Sequence, residues 1–578
     1  MLQRREIWKK LSGETQDFVK NYLKNNLKLN EAEFENFLFP NYDKNLLDAR
    51  AMFDMDKAVT RIIEAIKNNQ KICIYGDYDC DGVPGTALLQ DFFTKINYTN
   101  VVYYIPHRHT EGYGLNIPAI QKLANDGVKL IITIDLGTTN IEEIDFANTL
   151  EIDTIVTDHH LPIESVDGQI LPKAFAILNN KQNSCNYANK DLCGSGTIFK
   201  LVVELLRELK NTNLKNITLP QIGYEKWLLD LVAIATIADM VPLTHENRTL
   251  TIYGLHVLSK TPRAGLQTLF KNAKTNLQNI TEQDISFTVA PRINSASRMA
   301  HPTIALSMFS TDLQTGVNAA HALENLNKER KDTTKNIMKK VYKTLDERIE
   351  NSKDKKLPDI VVIGSNEWNA GVLGILASKI VDRYNVTTFV YGENLKGSCR
   401  SRGDIHLVKL MTEAKDKFIH FGGHELAGGF SINFENVHTL EDELNKKSEV
   451  AKIKNIVEQK KLDSKEFCID INLENINSDI LAGLNLIGPF GVGNTKPVFK
   501  IKKITSSTIS RFGKAGEHLK IKLVGKDLKD KILEREAIKF FVEKSEEEKI
   551  IEQFKSGDLF YEIEPGWMSQ IPRLKIIS

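Results

Sequence analysis

The chain has 578 residues and near-balanced charge, 76 Lys+Arg against 75 Asp+Glu for a net +1, so any phosphate-binding surface must be local. That length exceeds one ordinary core and predicts about two to four domains. With 42% apolar residues, no apolar run of about eighteen residues and no apolar core near the N-terminus, the composition points to a cytoplasmic protein with no membrane association.

Residues 45 to 310 read as alternating strands and helices. "KICIY" is a strand, and "VPGTALLQDFFTKI" after it has helical spacing with Pro84 near its start. "NVVYYIP" is a second strand and "IPAIQKLANDG" a helix stopped at Gly127. "KLIITIDLG" and "IDTIVTDHHLP" are the third and fourth strands, separated by the helix "TTNIEEIDFANTL". Such an order predicts a parallel sheet wrapped by helices. Residues 311–356 form one long polar helix between lobes, and 357 to about 450 return to α/β with "DIVVIG", "GVLGILASKIVDRY" and "TTFVYG". A charged helical or hinge stretch, "EVAKIKNIVEQKKL", follows, and short strands from about 460 to 578 predict a small β-barrel. The fold class is therefore α/β, with a parallel-sheet domain over 1–310 that includes an N-terminal helical extension. A connecting helix, a smaller α/β domain and a C-terminal OB-like barrel complete it. Six cysteines (Cys73, Cys80, Cys185, Cys193, Cys399, Cys468) form no CxxC pair, which argues against a zinc ribbon or a disulfide framework.

In a parallel α/β sheet the loops after the strands' carboxyl ends gather on one edge. The first strand delivers Asp77, Asp79 and Asp81 in "GDYDCDG"; the third delivers Asp135; the fourth delivers Asp158, His159 and His160. The buried segment "WLLDLVAIATIADMVPL" adds Asp239. Six aspartates and two histidines at one edge would repel one another strongly without cations. A mixed Asp/His set without cysteine favours Mn²⁺ or Mg²⁺, and the number of ligands suits two ions, as in hydrolysis of a phosphate ester or anhydride.

"GDYDCDG", "DLGTTN", "DHH" and "IADMVPL" resemble, in order, the four motifs of the DHH phosphoesterase superfamily. "IPHRHTEGYGL", "APRINSASRM", "ENLNKER", "WNAGVLGILASKI", "GSCRSRGD", "FGGHELAGGF" and "PFGVGNTKPVF" resemble blocks of its RecJ-like branch, the single-stranded-DNA-specific 5′→3′ exonucleases. The resemblance implies that Asp77, Asp79, Asp81, Asp135, His159 and Asp239 bind two metals, Asp135 bridging them. His160 then faces the scissile phosphate, with Asp158 orienting a histidine. It implies a DHH-associated second lobe that grips the 5′-terminal nucleotide through Ser398, Arg400, Ser401, Gly422, Gly423 and His424. Arg108, Arg292 and Arg298 become further phosphate contacts. In the barrel, Phe490, Phe499, Phe512 and His518 offer stacking against a largely structural reading, and Lys500, Lys502, Lys503, Arg511 and Lys514 offer an electrostatic strip.

The chain departs from the family pattern at "WNAG" (Trp368 to Gly371) and at Ser297, which stands before Arg298 in place of glycine. The resemblance implies a monomeric exonuclease that releases 5′-mononucleotides from single-stranded DNA in recombination and repair. A single-strand-binding protein and a RecQ-like helicase are its partners by the same analogy. Two alternatives stay open at this point. One is a phosphatase for short oligoribonucleotides or pAp, and the other a catalytically inactive DNA-binding scaffold.

Overall fold

The computed structural model describes all residues except Met1, Asn213, 455–467, Ala515, Leu528, Glu543, 567–570 and Ser578. It contains two compact units: Leu47–Val241 with Leu250–Gln459, and Met1–Leu46 with Pro242–Thr249 and Lys460–Ser578.

The larger unit is built on two sheets. The first takes strands β1 (Lys71–Gly76), β2 (Val101–Tyr104), β3 (Val128–Ile134), β4 (Asp153–Thr157) and, past a hairpin of β5 (Ile163–Ser165) and β6 (Gly168–Ile170), β7 (Ala176–Leu178). Their order is β2-β1-β3-β4-β7, all parallel. The central strands are apolar on both faces because helices cover both, as a parallel sheet requires. Four of these strands are those predicted; β7 and the hairpin are additions, too short to stand out from turn-forming sequence. Since the strands run the same way, Asp77, Asp135 and Asp158 follow the carboxyl ends of β1, β3 and β4 on one edge. Helix Leu229–Ala238 is apolar around nearly its whole circumference, is buried accordingly, and ends on Asp239.

The connecting helix spans Leu313–Asn351, capped by the Asp312 carboxylate, which accepts from the Thr315 amide at 2.8 Å. A buried stripe (Leu323, Asn327, Thr334, Ile337, Met338, Val341, Leu345) runs along it, so it is a packed element rather than a bare spacer. The second sheet comprises β8 (Ile360–Gly364), β9 (Thr387–Tyr391), β10 (Lys396–Arg400), β11 (Phe418–Gly423) and β12 (Ala427–Ile432). Its order is β11-β12-β10-β9-β8, with only β8 and β9 parallel, joined by the crossover helix Leu373–Tyr384.

The smaller unit holds a seven-stranded sheet of β13 (Cys468–Asn472), β14 (Val498–Lys502), β15 (Ser506–Phe512), β16 (His518–Lys526), β17 (Ile532–Lys539), β18 (Phe560–Glu564) and β19 (Arg573–Ile577). The order is β13-β14-β18-β19-β17-β16-β15. Along β16, Leu519, Ile521 and Leu523 face the core while Lys520 and Lys522 face out, the period of two expected of a half-buried strand. Val19, Tyr22, Leu23 and Phe37 of the N-terminal helices share one core with Ile471, Leu484, Phe499 and Tyr561. The N-terminal helices therefore belong with the C-terminal sheet, not with the parallel-sheet domain to which sequence order attached them. An amphipathic helix carries no local signal of which apolar surface it covers. The charged stretch 449–462 falls partly outside the described residues.

Candidate active site

The "GDYDCDG" loop folds as it does because its end glycines leave no room for anything larger. A Cβ on Gly82 would stand 2.5 Å from the Asp77 carbonyl oxygen, and one on Gly76 would strike the Thr86 hydroxyl. The loop turns back on itself: Asp79 Oδ1 accepts from the amides of Asp81 (2.8 Å) and Gly82 (3.1 Å). The Asp81 carboxylate is held from outside the loop by the start of helix Gly194–Leu209. The Gly194 amide donates to its Oδ2 at 2.6 Å and the Ser195 amide to its Oδ1 at 2.7 Å. This is a helix N-terminus serving an anion. Nothing in the sequence reading singled out Gly194 and Ser195; the signal was "GSG" opening a helix.

These elements bring the predicted ligands together. His159 Nε2 lies 3.1 Å from Asp135 Oδ1, 3.4 Å from Asp239 Oδ2 and 3.8 Å from Asp81 Oδ2. Potential ligand atoms fall into three overlapping groups, each within 4.8 Å: Asp77/Asp79/Asp135, Asp81/His159/Asp239, and Asp135/His159/His160. Asp135, in the left-handed region at φ +63°, belongs to two of the groups. Asp77 Oδ1, Asp135 Oδ1, Asp239 Oδ2 and both ring nitrogens of His159 are buried with no hydrogen-bond partner. Buried polar atoms are normally satisfied, so orphans converging on one space fit missing cations, and the oxygen/imidazole donor set fits Mn²⁺ or Mg²⁺.

The charges show the same strain. Burial, then repulsion from Asp81, Asp79 and Asp77, pushes the Asp135 carboxyl well above its usual range. Burial and Asp79 do the same to Asp77. Asp239 is pushed up to about 8 by burial and by Asp81 and Asp79. Burial lowers His159, leaving a neutral imidazole suited to coordination. His160 differs: burial would lower it, but its hydrogen bond to Asp158 and the charge there raise it to about 9.

Asp158 is held ionised despite burial, by His160 and by the Thr138 hydrogen bond. Its Oδ1 accepts from the His160 ring Nδ1 at 2.8 Å and from the His159 and His160 amides; its Oδ2 accepts from the Thr138 amide at 3.0 Å. Asp158 is thus the clamp on His160. Tyr113, to which the sequence reading assigned no role, completes the setting. Its hydroxyl donates to the Asp135 carbonyl at 3.1 Å and lies 3.1 Å from His160 Nδ1.

The predicted substrate residues divide. Arg108 stacks its guanidinium over the Tyr78 ring at 5.0 Å, within the electrostatic reach of Asp77. Arg298 donates to the Gly371 carbonyl at 2.9 Å, and Arg400 to its own Cys399 carbonyl at 2.8 Å. Burial, then the charges of Arg108, Arg330 and Arg400, lowers Arg298 to about 9, so these arginines converge on one another. Arg330, on the connecting helix, is a further member that the sequence reading missed. Ser398 Oγ and Arg400 Nη2, two residues apart on β10, both lie against Gly374 in the first turn of helix Leu373–Tyr384.

Arg292, which also lies within the electrostatic reach of Arg330, is engaged by a carboxylate. It forms a two-pronged ion pair with Glu324, at 2.7 and 3.2 Å, and donates to the Thr288 carbonyl. Ser401 is buried and its hydroxyl accepts from the Gly403 amide at 3.0 Å, bracing a turn. Gly422 and Gly423 are strand residues paired with Gly429 and Gly428 rather than an open glycine loop, and the His424 amide is taken by the Ala427 carbonyl at 2.7 Å. His424 itself is exposed at the hairpin turn.

In the smaller unit the expected basic strip is largely neutralised. Lys500 pairs with Asp558 (3.0 Å), Lys502 with Asp470 (3.4 Å) and Arg511 with Glu547 (2.6 Å). Phe499 is core, and Phe490 packs against that core. Phe512 and His518 instead join Phe540 and Phe541 in a four-ring cluster, with the His518 ring centroid 4.8–5.0 Å from the other three. Phe541 is exposed.

Comparison with known proteins agrees with this geometry. Models for the DHH family N-terminal domain, the DHHA1 domain and the RecJ OB domain match residues 71–236, 358–449 and 469–570. The chain is 35% identical over 498 residues to the single-stranded-DNA-specific exonuclease RecJ of Bacillus subtilis (strain 168), covering 85% of this chain and 59% of that protein. It thus spans less than two thirds of that relative. To the RecJ of Haemophilus influenzae it is 32% identical over 404 residues, 68% of each chain, and to that of Escherichia coli K12 33% over 402 residues, 67% and 68%. Among solved structures it resembles Thermus thermophilus RecJ in complex with Mn²⁺ (TM-score 0.72, 21% identity, 97% of this chain and 77% of that one). It also resembles an exonuclease RecJ bound to manganese (TM-score 0.60, 26% identity, 72% and 100%). Matched by three domain models in order, and 32–33% identical over about two thirds of the Haemophilus influenzae and Escherichia coli relatives, the chain belongs to the RecJ family of DHH proteins.

Proposed function

We propose that this chain is a divalent-metal-dependent exonuclease that degrades single-stranded DNA in the 5′→3′ direction to 5′-mononucleotides, acting in recombination and repair. The observation that carries this reading is the set of orphaned buried atoms on Asp77, Asp135, His159 and Asp239, converging from three strand ends and one helix end. Asp77, Asp79, Asp81, Asp135, His159 and Asp239 would hold two Mn²⁺ or Mg²⁺ ions. Such ions, when bound, polarise the phosphodiester and lower the pKa of an attacking water. His160, kept protonated near neutral pH by Asp158, donates to the oxygen on which negative charge develops. Tyr113 fixes the ring's orientation.

Polarity follows from the arginines. Arg108, Arg298, Arg400 and Ser398 offer cationic and hydroxyl donors to a terminal phosphate, and among the described contacts none of the three guanidiniums is neutralised by a carboxylate. The aromatic cluster of Phe512, His518, Phe540 and Phe541 offers stacking to unpaired bases, in place of the neutralised lysine strip. The reading calls for a monomer working in the cytoplasm with a single-strand-binding protein and a RecQ-like helicase.

The test is a time course on a long 5′-phosphorylated single strand with and without Mn²⁺, carrying a 3′-end label and an internal label in parallel, with a duplex control. Metal-dependent release of mononucleotides from the 5′ end, duplex spared, is the expected result, and Asp135→Ala abolishes it while DNA binding persists. Hydrolysis of dinucleotides or pAp alone would replace this reading with a small-substrate phosphatase. Binding without hydrolysis would leave a scaffold.

A further inference from the structure

The β5–β6 hairpin begins three residues after His160, and its apolar side chains belong to none of the described core clusters. Leu161 is 63% exposed, Ile163 39%, Ile170 42%, and Val166 at the tip is fully exposed. A two-stranded ribbon is marginal by itself, and three exposed aliphatic side chains on one ribbon, with Leu161 just before it, are a cost without a use. The ribbon is nonetheless built with care. Ser165 Oγ donates to the Gly168 carbonyl at 2.7 Å and accepts from the Asp167 amide, and Gly168 takes φ +113° to close the turn.

Its two faces are set by pairing. Ile163 stands opposite Ile170 and Glu164 opposite Gln169, so the isoleucines share one face and the polar pair the other. The polar face is docked. Gln169 donates to the Lys181 carbonyl at 3.2 Å and accepts from the Asn183 amide at 2.7 Å. The same loop carries Asn179, whose amide donates to the His160 carbonyl at 2.8 Å. The ribbon is therefore braced against the loop that also holds His160, and its isoleucine face is left outward.

We propose that this aliphatic face is a contact surface for the unpaired bases of a single strand being processed at the metal centre. The inference rests on the nuclease reading above. Reach supports it: three residues of extended chain span at most about 11 Å, so Ile163 lies no farther than that from the Cα of His160. A nucleotide whose phosphate meets His160 has its own base within that range. Chemistry supports it as well, since aliphatic side chains pack against base faces as wedges, and in an unpaired strand they do so without the cost of unstacking a duplex step.

The test pairs two variants with two ligands. Ile163→Ser/Ile170→Ser and Val166→Ser alter only exposed side chains, and unchanged thermal midpoints confirm intact folding. The ligands are a 5′-phosphorylated single strand of thymidylates and the same strand with its first three nucleotides abasic. Affinity is read by fluorescence anisotropy in EDTA, and cleavage by kcat and KM in Mn²⁺. The expected result is an affinity loss of about fivefold on the thymidylate strand, ~1 kcal/mol, with KM rising in parallel and kcat unchanged. The abasic strand should bind wild type and variants alike. Equal losses on both strands, or no loss on either, would overturn the proposal; the latter would point to a protein partner for this face. If the unmodified chain cleaves neither strand yet the variants show the base-dependent affinity loss, the catalytic reading fails and the hairpin assignment stands. Normal cleavage without base-dependent loss does the reverse, keeping the nuclease and removing the hairpin from its substrate path.

Discussion

Gly194→Ala tests how the metal ligands are held. A Cβ at that position would lie 2.7 Å from the Asp135 Cβ, 2.8 Å from its Cα and 3.0 Å from its amide nitrogen. These neighbours are backbone or backbone-attached, so no flexible side chain can swing away. The helix start must retreat, and its amide then leaves the Asp81 carboxylate it now meets at 2.6 Å. Overpacking of this kind costs about 1–3 kcal/mol, and loosening a ligand's support lowers metal affinity roughly 10–100-fold. Gly196→Ala is the internal control. Its Cβ would press on the flexible Leu192 Cδ2 tip at 3.1 Å and otherwise make ordinary contacts, with Cys193 Sγ at 3.6 Å and Leu192 Cβ at 3.7 Å, and an alanine in a helix regains roughly 0.5–1 kcal/mol over glycine. Urea unfolding of both variants, with Mn²⁺ titrated against cleavage rate, reads the two effects separately. Wild-type stability and Mn²⁺ requirement in Gly194→Ala would refute the view that this close approach positions Asp81 and Asp135.

Metal removal should destabilise the protein more as pH rises. Asp77, Asp135 and Asp239 have folded-state pKa values raised by burial and mutual repulsion, Asp239 to about 8. The metal-free fold therefore keeps protons that the unfolded chain has already released, and it loses stability between about pH 4 and pH 8. Bound cations replace those protons, so the gap in Tm between Mn²⁺ and EDTA should widen from pH 6 to pH 8. A gap that narrows would contradict the sign. Arg263→Ala should cost about 3–5 kcal/mol in chemical denaturation, because it strands the buried Asp230 (3.0 Å) and Asp91 (2.7 Å) carboxylates. Arg400→Ala should raise KM on a 5′-phosphorylated strand more than on a 5′-hydroxyl strand at unchanged Tm. Arg292→Ala should do the opposite, lowering Tm through loss of the Glu324 pair and leaving the phosphate preference intact. Matching KM effects in the two variants would show that Arg292 reaches substrate after all.

What could be read from the sequence was whatever a local pattern determines. Apolar runs ending in aspartate marked β1, β3 and β4, and parallel order alone then put Asp77, Asp135 and Asp158 on one edge. Asp239 was legible because an unbroken apolar helix has to be buried, and its end must emerge somewhere polar. The separate roles of the two histidines of "DHH" came from the family resemblance rather than from a local pattern; their surroundings differ as well, since burial lowers His159 and Asp158 raises His160.

The misses share a cause, which is that a side chain's partner is a matter of tertiary placement. Arg292 and Arg298 sit six residues apart on one helix, and nothing local distinguishes them. One faces Glu324 on the connecting helix and is neutralised; the other joins Arg108, Arg330 and Arg400. The lysines of β14 looked like a cationic strip because Asp558 lies 58 residues away from Lys500 in sequence and 3.0 Å away in space. Gly194 shows the same limit from the opposite side. Its "GSG" is ordinary helix-start sequence, and only the approach of Asp135 turns it into a support for the metal centre. Residue types and strand order thus suffice to predict where like charges gather. Which charges are then cancelled depends on contacts between distant segments, and the uncancelled remainder, carboxylates at the strand ends and the arginines gathered around Arg298, is what only the folded chain brings together.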